Sequence, residues 1–352
     1  MKGGKAMALF FILLLCLISI VTTLLMVFFS GKMIPYTDAN GQVQPDSLSE
    51  KFWIPINGVE MGMIIKTRDQ TRPVLLFIHG GPGMPEYWLN ESHPSHLEEL
   101  FTVVWWDQRG AGLSYSAAIP PETMTTEQMV ADTISVTKYL CQRFQKEKIY
   151  LMAHSFGTYI GIQAAARAPE LYRAYIGVAQ SVNLALSEEL AYEFMLNFYA
   201  NDKKNREQLK KSPYGTAAYE RIRDRVMHEA GIGTTHTMYS VVTGIFLAVM
   251  KNREYMLKEK FQIWQGKAFS KRSMLNEEFR QANLSDLVTR LEIPVIFFSG
   301  VYDYTVNYHL SEIYLEEIKA PKKHFYLFED SAHSPIFEEP EAVLAILKDL
   351  IH

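Results

Sequence analysis

Cysteine is nearly missing from this chain of 352 residues: there are two, Cys16 and Cys141. They sit far apart in different contexts, so neither a disulfide framework nor a cysteine-based metal site can be built from them. No cofactor or metal is expected. A strong charge of either sign is also absent. With 35 Lys and Arg against 39 Asp and Glu, the formal net charge is -4, and no basic face advertises phosphate or nucleic-acid binding. Internal repeats and low-complexity tracts are lacking as well. What remains is an ordinary globular composition, 48% hydrophobic and 21% charged. Its length suits an α/β body carrying an inserted subdomain.

The first notable run is Met7 to Phe29, which contains no charged residue and is long enough for a helix to cross a bilayer core. It reads as a transmembrane helix. Lys2 and Lys5 precede it and only Lys32 follows closely, so charge bias places the N-terminus in the cytoplasm and the remainder outside. Bulky Phe28 before Ser30 argues against a cleaved signal peptide, so an uncleaved single-pass anchor is expected.

Residues 31–50 are polar and turn-rich and read as a linker. "FWIPINGVEMGMIIK" then reads as a hairpin turning at Asn57-Gly58, residues that tolerate positive φ. Six apolar runs follow with helix-like segments between them: "PVLLFIHG", "FTVVWWDQRG", "IYLMAHS", "AYIGVAQ", "PVIFFSG" and "HFYLFED". Continuous apolar strands alternating with helices imply a mostly parallel sheet covered on both faces. The rhythm stops between the fourth and fifth runs, and residues 183–291 read as an inserted helical cap. Its most apolar stretch, "VVTGIFLAVM", is too short to span a membrane and is expected to pack inside the cap. The expected division is an anchor at 1–30, a linker at 31–50, a core at 51–182 and 292–352, and the cap.

Chemistry gathers at the run ends. Ser155 follows the β-like "KIYLMA" and precedes the helix-like "FGTYIGIQAAARA", so the turn between them is abrupt and lifts the hydroxyl clear of the backbone. Strand and helix pass close together there, which demands small residues at Ala153 and Gly157. A serine hydroxyl needs a histidine to take its proton, and the histidine needs a carboxylate to fix its tautomer. Asp303 lies just beyond "FFSG" and His333 in the loop after the last run. The order Ser, Asp, His matches the α/β-hydrolase arrangement. Asp330 and Asp107 compete for the acid role and read as loop and turn residues. His154 is expected to point away from the serine, and His228, His236 and His309 to be packed or solvated. Backbone N–H groups of Gly81, within "HGGPG", and of Phe156 are the expected oxyanion donors.

Together "HGGPG", "WDQRG", the serine elbow, Tyr302-Asp303 and "SAHSP" resemble the proline iminopeptidase branch of the α/β-hydrolase superfamily over roughly residues 52 to 350. The resemblance implies Ser155 as nucleophile, Asp303 and His333 as its partners, Gly81 and Phe156 as donors, and a cap that sets substrate choice. In that branch acidic cap residues bind the substrate's free amine, one commonly after a tryptophan. Here Gln265 follows Trp264, and a neutral amide forms no ion pair. Glu188, Glu189 and Glu193 are the candidates to replace it. The elbow "AHSFG" also departs from the branch's common "GGSWG".

The expectation is therefore a membrane-anchored serine hydrolase acting on a small amide or short peptide through an acyl-enzyme. The alternatives are a carboxylesterase using the same triad and a binding protein that keeps the fold without catalysis.

Overall fold

The computed structural model describes Met7, residues 11–21 and residues 30–351. Eight strands form one sheet: β1 (Leu48–Ile56), β2 (Val59–Thr67), β3 (Val74–Ile78), β4 (Thr102–Trp106), β5 (Ile149–His154), β6 (Tyr172–Val178), β7 (Val295–Gly300) and β8 (Lys323–Phe328). Their spatial order is β1-β2-β4-β3-β5-β6-β7-β8. β1 and β2 pair antiparallel, as do β2 and β4, and every pairing from β4 onward to β8 is parallel.

The hairpin turns at Asn57 (φ 46°) and Gly58 (φ 81°), the left-handed pair that a tight two-residue turn requires. β1 begins at Leu48, inside the stretch read as linker. That stretch is also tied down, because Lys66 Nζ donates to Ile34 O at 2.8 Å and to Glu254 Oε1 at 2.8 Å.

The apolar runs of β3 to β7 are continuous because both faces are covered, whereas edge strand β8 is buried only at Phe328. Leu76, Ile78, Val104, Leu151 and Phe297 belong to one core cluster, whereas Leu75, Phe77, Val103, Met152 and Phe298 belong to the other. Adjacent residues thus enter opposite cores, the period of two that a pleated strand imposes. Each fully buried side chain of this size contributes about 1.5–3 kcal/mol relative to exposure. The helix Thr126–Arg143 covers the first face with Met129, Val130, Thr133, Val136, Thr137 and Leu140 buried, a helical stripe. Its N-cap Thr125 accepts from Gln128 N–H at 3.2 Å, satisfying one orphan donor. The helix Pro340–Ile351 covers the second face through Val343 and Leu347.

Register brings the strands' carboxyl ends into line. Ile78 pairs with Trp106 and Ala153, Ala153 with Gly177, and Gly177 with Phe297. The loops holding HGGPG, Ser155, Asp303 and His333 therefore leave from one edge. Between β6 and β7 the elements are helical, the longest being Leu184–Phe198, Ala217–Glu229 and Leu257–Lys271.

The expected transmembrane anchor is not supported. Among the described residues no helix is long and apolar enough to cross a membrane. Residues 11–21 are helical, and residues 8–10 and 22–29 of the expected span lie outside the described residues. The placement of the catalytic domain beyond a membrane, which rested on that anchor, falls with it.

Candidate active site

Ser155 occupies φ 53° and ψ -125° as the residue before the helix Phe156–Arg167. A non-glycine residue in this region costs about 1–3 kcal/mol, and neighbouring glycines permit it. A Cβ at Gly157 would fall 2.4 Å from Ile78 O and 2.6 Å from His79 O, so only glycine allows the helix to pass the end of β3. The alanine at position 153 is accommodated from above: a Cβ at Gly161 would fall 2.9 Å from Ala153 Cβ. Glycine one turn further along thus makes room for the methyl group.

His333 Nδ1 lies 2.9 Å from Asp303 Oδ2, with Asp303 fully buried and His333 7% exposed. The other Asp303 oxygen accepts from Val306 N–H at 2.9 Å. Glycine sets this meeting too, because a Cβ at Gly300 would strike Ala332 O at 2.1 Å and Ser331 O at 2.2 Å; the two loops touch through bare backbone. His333 and Ser155 border the same cavity of about 570 Å³. No hydrogen bond joins Ser155 Oγ to the ring, a contact that commonly tightens only in the substrate complex.

Gly81 (φ 118°) also borders that cavity, and Phe156 opens a helix whose first N–H groups have no intrahelical partner. His79, at the head of HGGPG, is structural. Its Nδ1 lies 2.8 Å from Gly80 O and its Nε2 accepts from Gln108 N–H at 3.1 Å. Burial pushes its pKa down to about 4, so the ring is neutral. Arg109 of WDQRG is structural as well. It forms a two-point ion pair with buried Asp132, at 2.7 and 3.0 Å, and donates to Asn57 O at 3.1 Å, which ties the hairpin to the helix Thr126–Arg143.

Two residues outside the expected set complete the site. His154 borders the same cavity as Ser155, and both of its ring nitrogens are held. Its Nδ1 lies 2.8 Å from Glu86 Oε1, and its Nε2 donates to His333 O at 2.7 Å. The same Glu86 oxygen accepts from Gly80 N–H at 2.8 Å. One carboxylate and one imidazole therefore link the HGGPG loop, the serine elbow and the histidine loop. Burial opposes charge on both, but their mutual attraction prevails, holding the imidazole above its ordinary value and the carboxyl below. Glu86 Oε2 is buried with no hydrogen-bond partner. The available signal was a lone acid in the apolar stretch "GMPEYWL".

Ser155 also borders a second cavity of about 530 Å³, which it shares with Gly81, Arg223, Asp224 and Lys267. Glu188 reaches this cleft but is held by Arg223, with both its oxygens 2.8 Å from Arg223 Nε or nearer. Glu189 and Glu193 are exposed and border neither cavity. Trp264 lines the first cavity, whereas Gln265 lines a separate groove beside Trp53 and Phe261, away from Ser155. The apolar stretch expected to pack inside the cap instead edges the first cavity: Val242 is 58% and Phe246 44% exposed. Among the described residues, no group of three or more His, Cys, Asp or Glu side chains could hold a metal ion.

The model of the alpha/beta hydrolase fold matches residues 73–340. A probable aminopeptidase of Bacillus subtilis, YbaC, is 32% identical over 292 residues, covering 82% of this chain and 91% of that protein. The crystal structure of a proline iminopeptidase from Mycobacterium smegmatis aligns over 86% of this chain and 98% of its own, with a TM-score of 0.64 at 18% identity. A proline iminopeptidase-related protein from Thermus thermophilus aligns over 86% and 97%, with a TM-score of 0.55 at 22% identity. Sheet order, strand-end loops and matched length agree: the chain belongs to the α/β-hydrolase fold family, as a hydrolase with the proline iminopeptidase branch among its likenesses.

Proposed function

We propose that the protein is a serine hydrolase that cleaves small amides, such as the N-terminal residue of a short peptide, through an acyl-enzyme. The observation that carries this reading is the Asp303–His333 pair on the cavity that Ser155 enters from a strained elbow. Asp303 fixes Nδ1 as the protonated nitrogen and leaves Nε2 as the base. His333 takes the Ser155 proton as Oγ attacks the carbonyl carbon. The oxyanion lies between the Gly81 and Phe156 N–H groups, each worth about 2.7–4 kcal/mol of transition-state stabilisation. His333 then gives the proton to the departing nitrogen, and water releases the acyl group by the same route. The name of the Bacillus relative supports an aminopeptidase.

A carboxylesterase is the second reading, favoured by the state of the cap acids. Glu188 is already neutralised by Arg223, and Glu189 and Glu193 face solvent away from both cavities, so none of the three offers a free carboxylate beside Ser155. Comparing kcat/KM on aminoacyl-arylamides and short acyl esters separates the two readings, and a dominant ester rate removes the peptidase assignment. A fluorophosphonate probe tests the shared core: it should label the folded protein, and Ser155→Ala should abolish labelling. A folded protein that stays unlabelled is a binding protein on this fold.

A further inference from the structure

The two cavities meeting at Ser155 differ in chemistry. Both are bordered by Arg223, Asp224 and Lys267; to these one adds chiefly Trp88, Leu89, Met227, Ile245, Phe246 and Trp264, with Glu86 and His228. The other adds Glu188, Glu220, Lys271, Glu277 and Arg280 beside Leu184, Tyr214, Tyr219 and Phe279, and its charges are largely paired: Glu188 with Arg223, and Glu220 with both Lys271 and Arg280. A scissile bond at Ser155 has one fragment in each. Which fragment enters which cavity follows from the proton. His333 borders the apolar chamber and not the charged cleft, and in acyl transfer the histidine hands its proton to the departing atom. The departing fragment must therefore lie on the His333 side.

Resting on the serine-hydrolase reading above, we infer that the leaving group is the bulky apolar half of the substrate and the acyl group the polar half. The substrate class is an aminoacyl or similarly polar acyl group joined to a hydrophobic amine or alcohol. In the first step the Ser155 Oγ–carbon bond forms, the carbon–nitrogen or carbon–oxygen bond breaks, and the His333 proton goes to the leaving atom. The freed apolar amine or alcohol occupies the chamber of about 570 Å³. The acyl-serine faces the cleft of about 530 Å³, where paired side chains offer hydrogen bonds of both polarities. Val242 and Phe246, both at least 44% exposed at the chamber's edge, give the hydrophobic fragment an apolar way in and out.

Two ester series separate the cavities without changing leaving-group basicity much. In the first the acyl group stays alanyl and the alcohol lengthens from ethyl to hexyl. In the second the alcohol stays ethyl and the acyl chain lengthens from alanyl to norleucyl. The first series should gain about fourfold in kcat/KM per methylene, the increment of burying one CH₂, and the second less than twofold. Ile245→Trp, which fills the chamber, should cut the hexyl-ester rate at least tenfold more than the ethyl-ester rate, with Ser155 labelling as the control for folding. A flat first series, or a steeper second one, overturns the inference and leaves the hydrolase standing. No turnover of either series together with no labelling of Ser155 overturns both.

Discussion

Two carboxylate–imidazole pairs stand side by side behind the serine, with the rings of His154 and His333 4.8 Å apart. Both are buried and both join residues far apart in the chain. In His154 each ring nitrogen has a protein partner, Glu86 on one side and His333 O on the other, so no lone pair is left to receive a proton. In His333 only Nδ1 has a protein partner, and both rings border the cavity. The difference teaches that proximity to a serine does not make a base. On the proposed reading the histidine with a free nitrogen is the base, and the saturated one is a strut.

The comparison breaks first if the wrong ring proves essential. His333→Ala should lower kcat by a factor on the order of 10⁶ and abolish fluorophosphonate labelling. Asp303→Asn should lower kcat about 10⁴-fold with the fold intact, because the amide holds the wrong tautomer. His154→Phe should behave differently. It leaves Glu86, 8% exposed, buried without its partner, which costs about 3–5 kcal/mol and is read as a lower urea midpoint. Labelling of the folded variant should persist, and kcat should fall by less than about a hundredfold. Loss of labelling comparable to His333→Ala would end the division between base and strut.

The proposed base, its acid and the elbow could be nominated from the sequence because each lies where an apolar run ends. Local pattern and chain order suffice to nominate them. The strut was not legible: Glu86 and His154 are 68 residues apart, and nothing in either neighbourhood marks them as a pair until the register of β3 and β5 brings Ile78 opposite Ala153. The six parallel strands were readable for the same local reason, continuous apolarity. The helices between β6 and β7 were readable as helices, but not which face meets Ser155. Glu189 and Gln265 fell outside the cavities while Lys267 and Asp224 fell within, since helical spacing fixes a face without saying what lies opposite. The anchor expectation failed at a different step, because apolar length permits a spanning helix and does not establish one.

A smaller effect sharpens the comparison from the other side of His333. Glu338 Oε1 accepts from the N–H groups of Ala332 and Ser334, each at 3.0 Å, so one carboxyl oxygen brackets the histidine. Its second oxygen accepts from His236 N–H at 2.6 Å. Burial outweighs these donors and raises the Glu338 pKa from 4.5 to about 7. Between those two values the folded protein binds a proton that the unfolded chain has released, so unfolding free energy falls as pH rises across this window. The contribution is fully present below pH 4.5 and is lost as pH passes about 7, amounting to about 3 kcal/mol. Glu338→Gln keeps an acceptor for both N–H groups and removes the titration. Its urea midpoint should decline less than the parent's from pH 5 to pH 8, with buried Asp107, raised to about 8, contributing equally to both. A parent profile that rises across the same interval would mean that the donors, rather than burial, govern this carboxyl, and that the histidine loop is held by a charge.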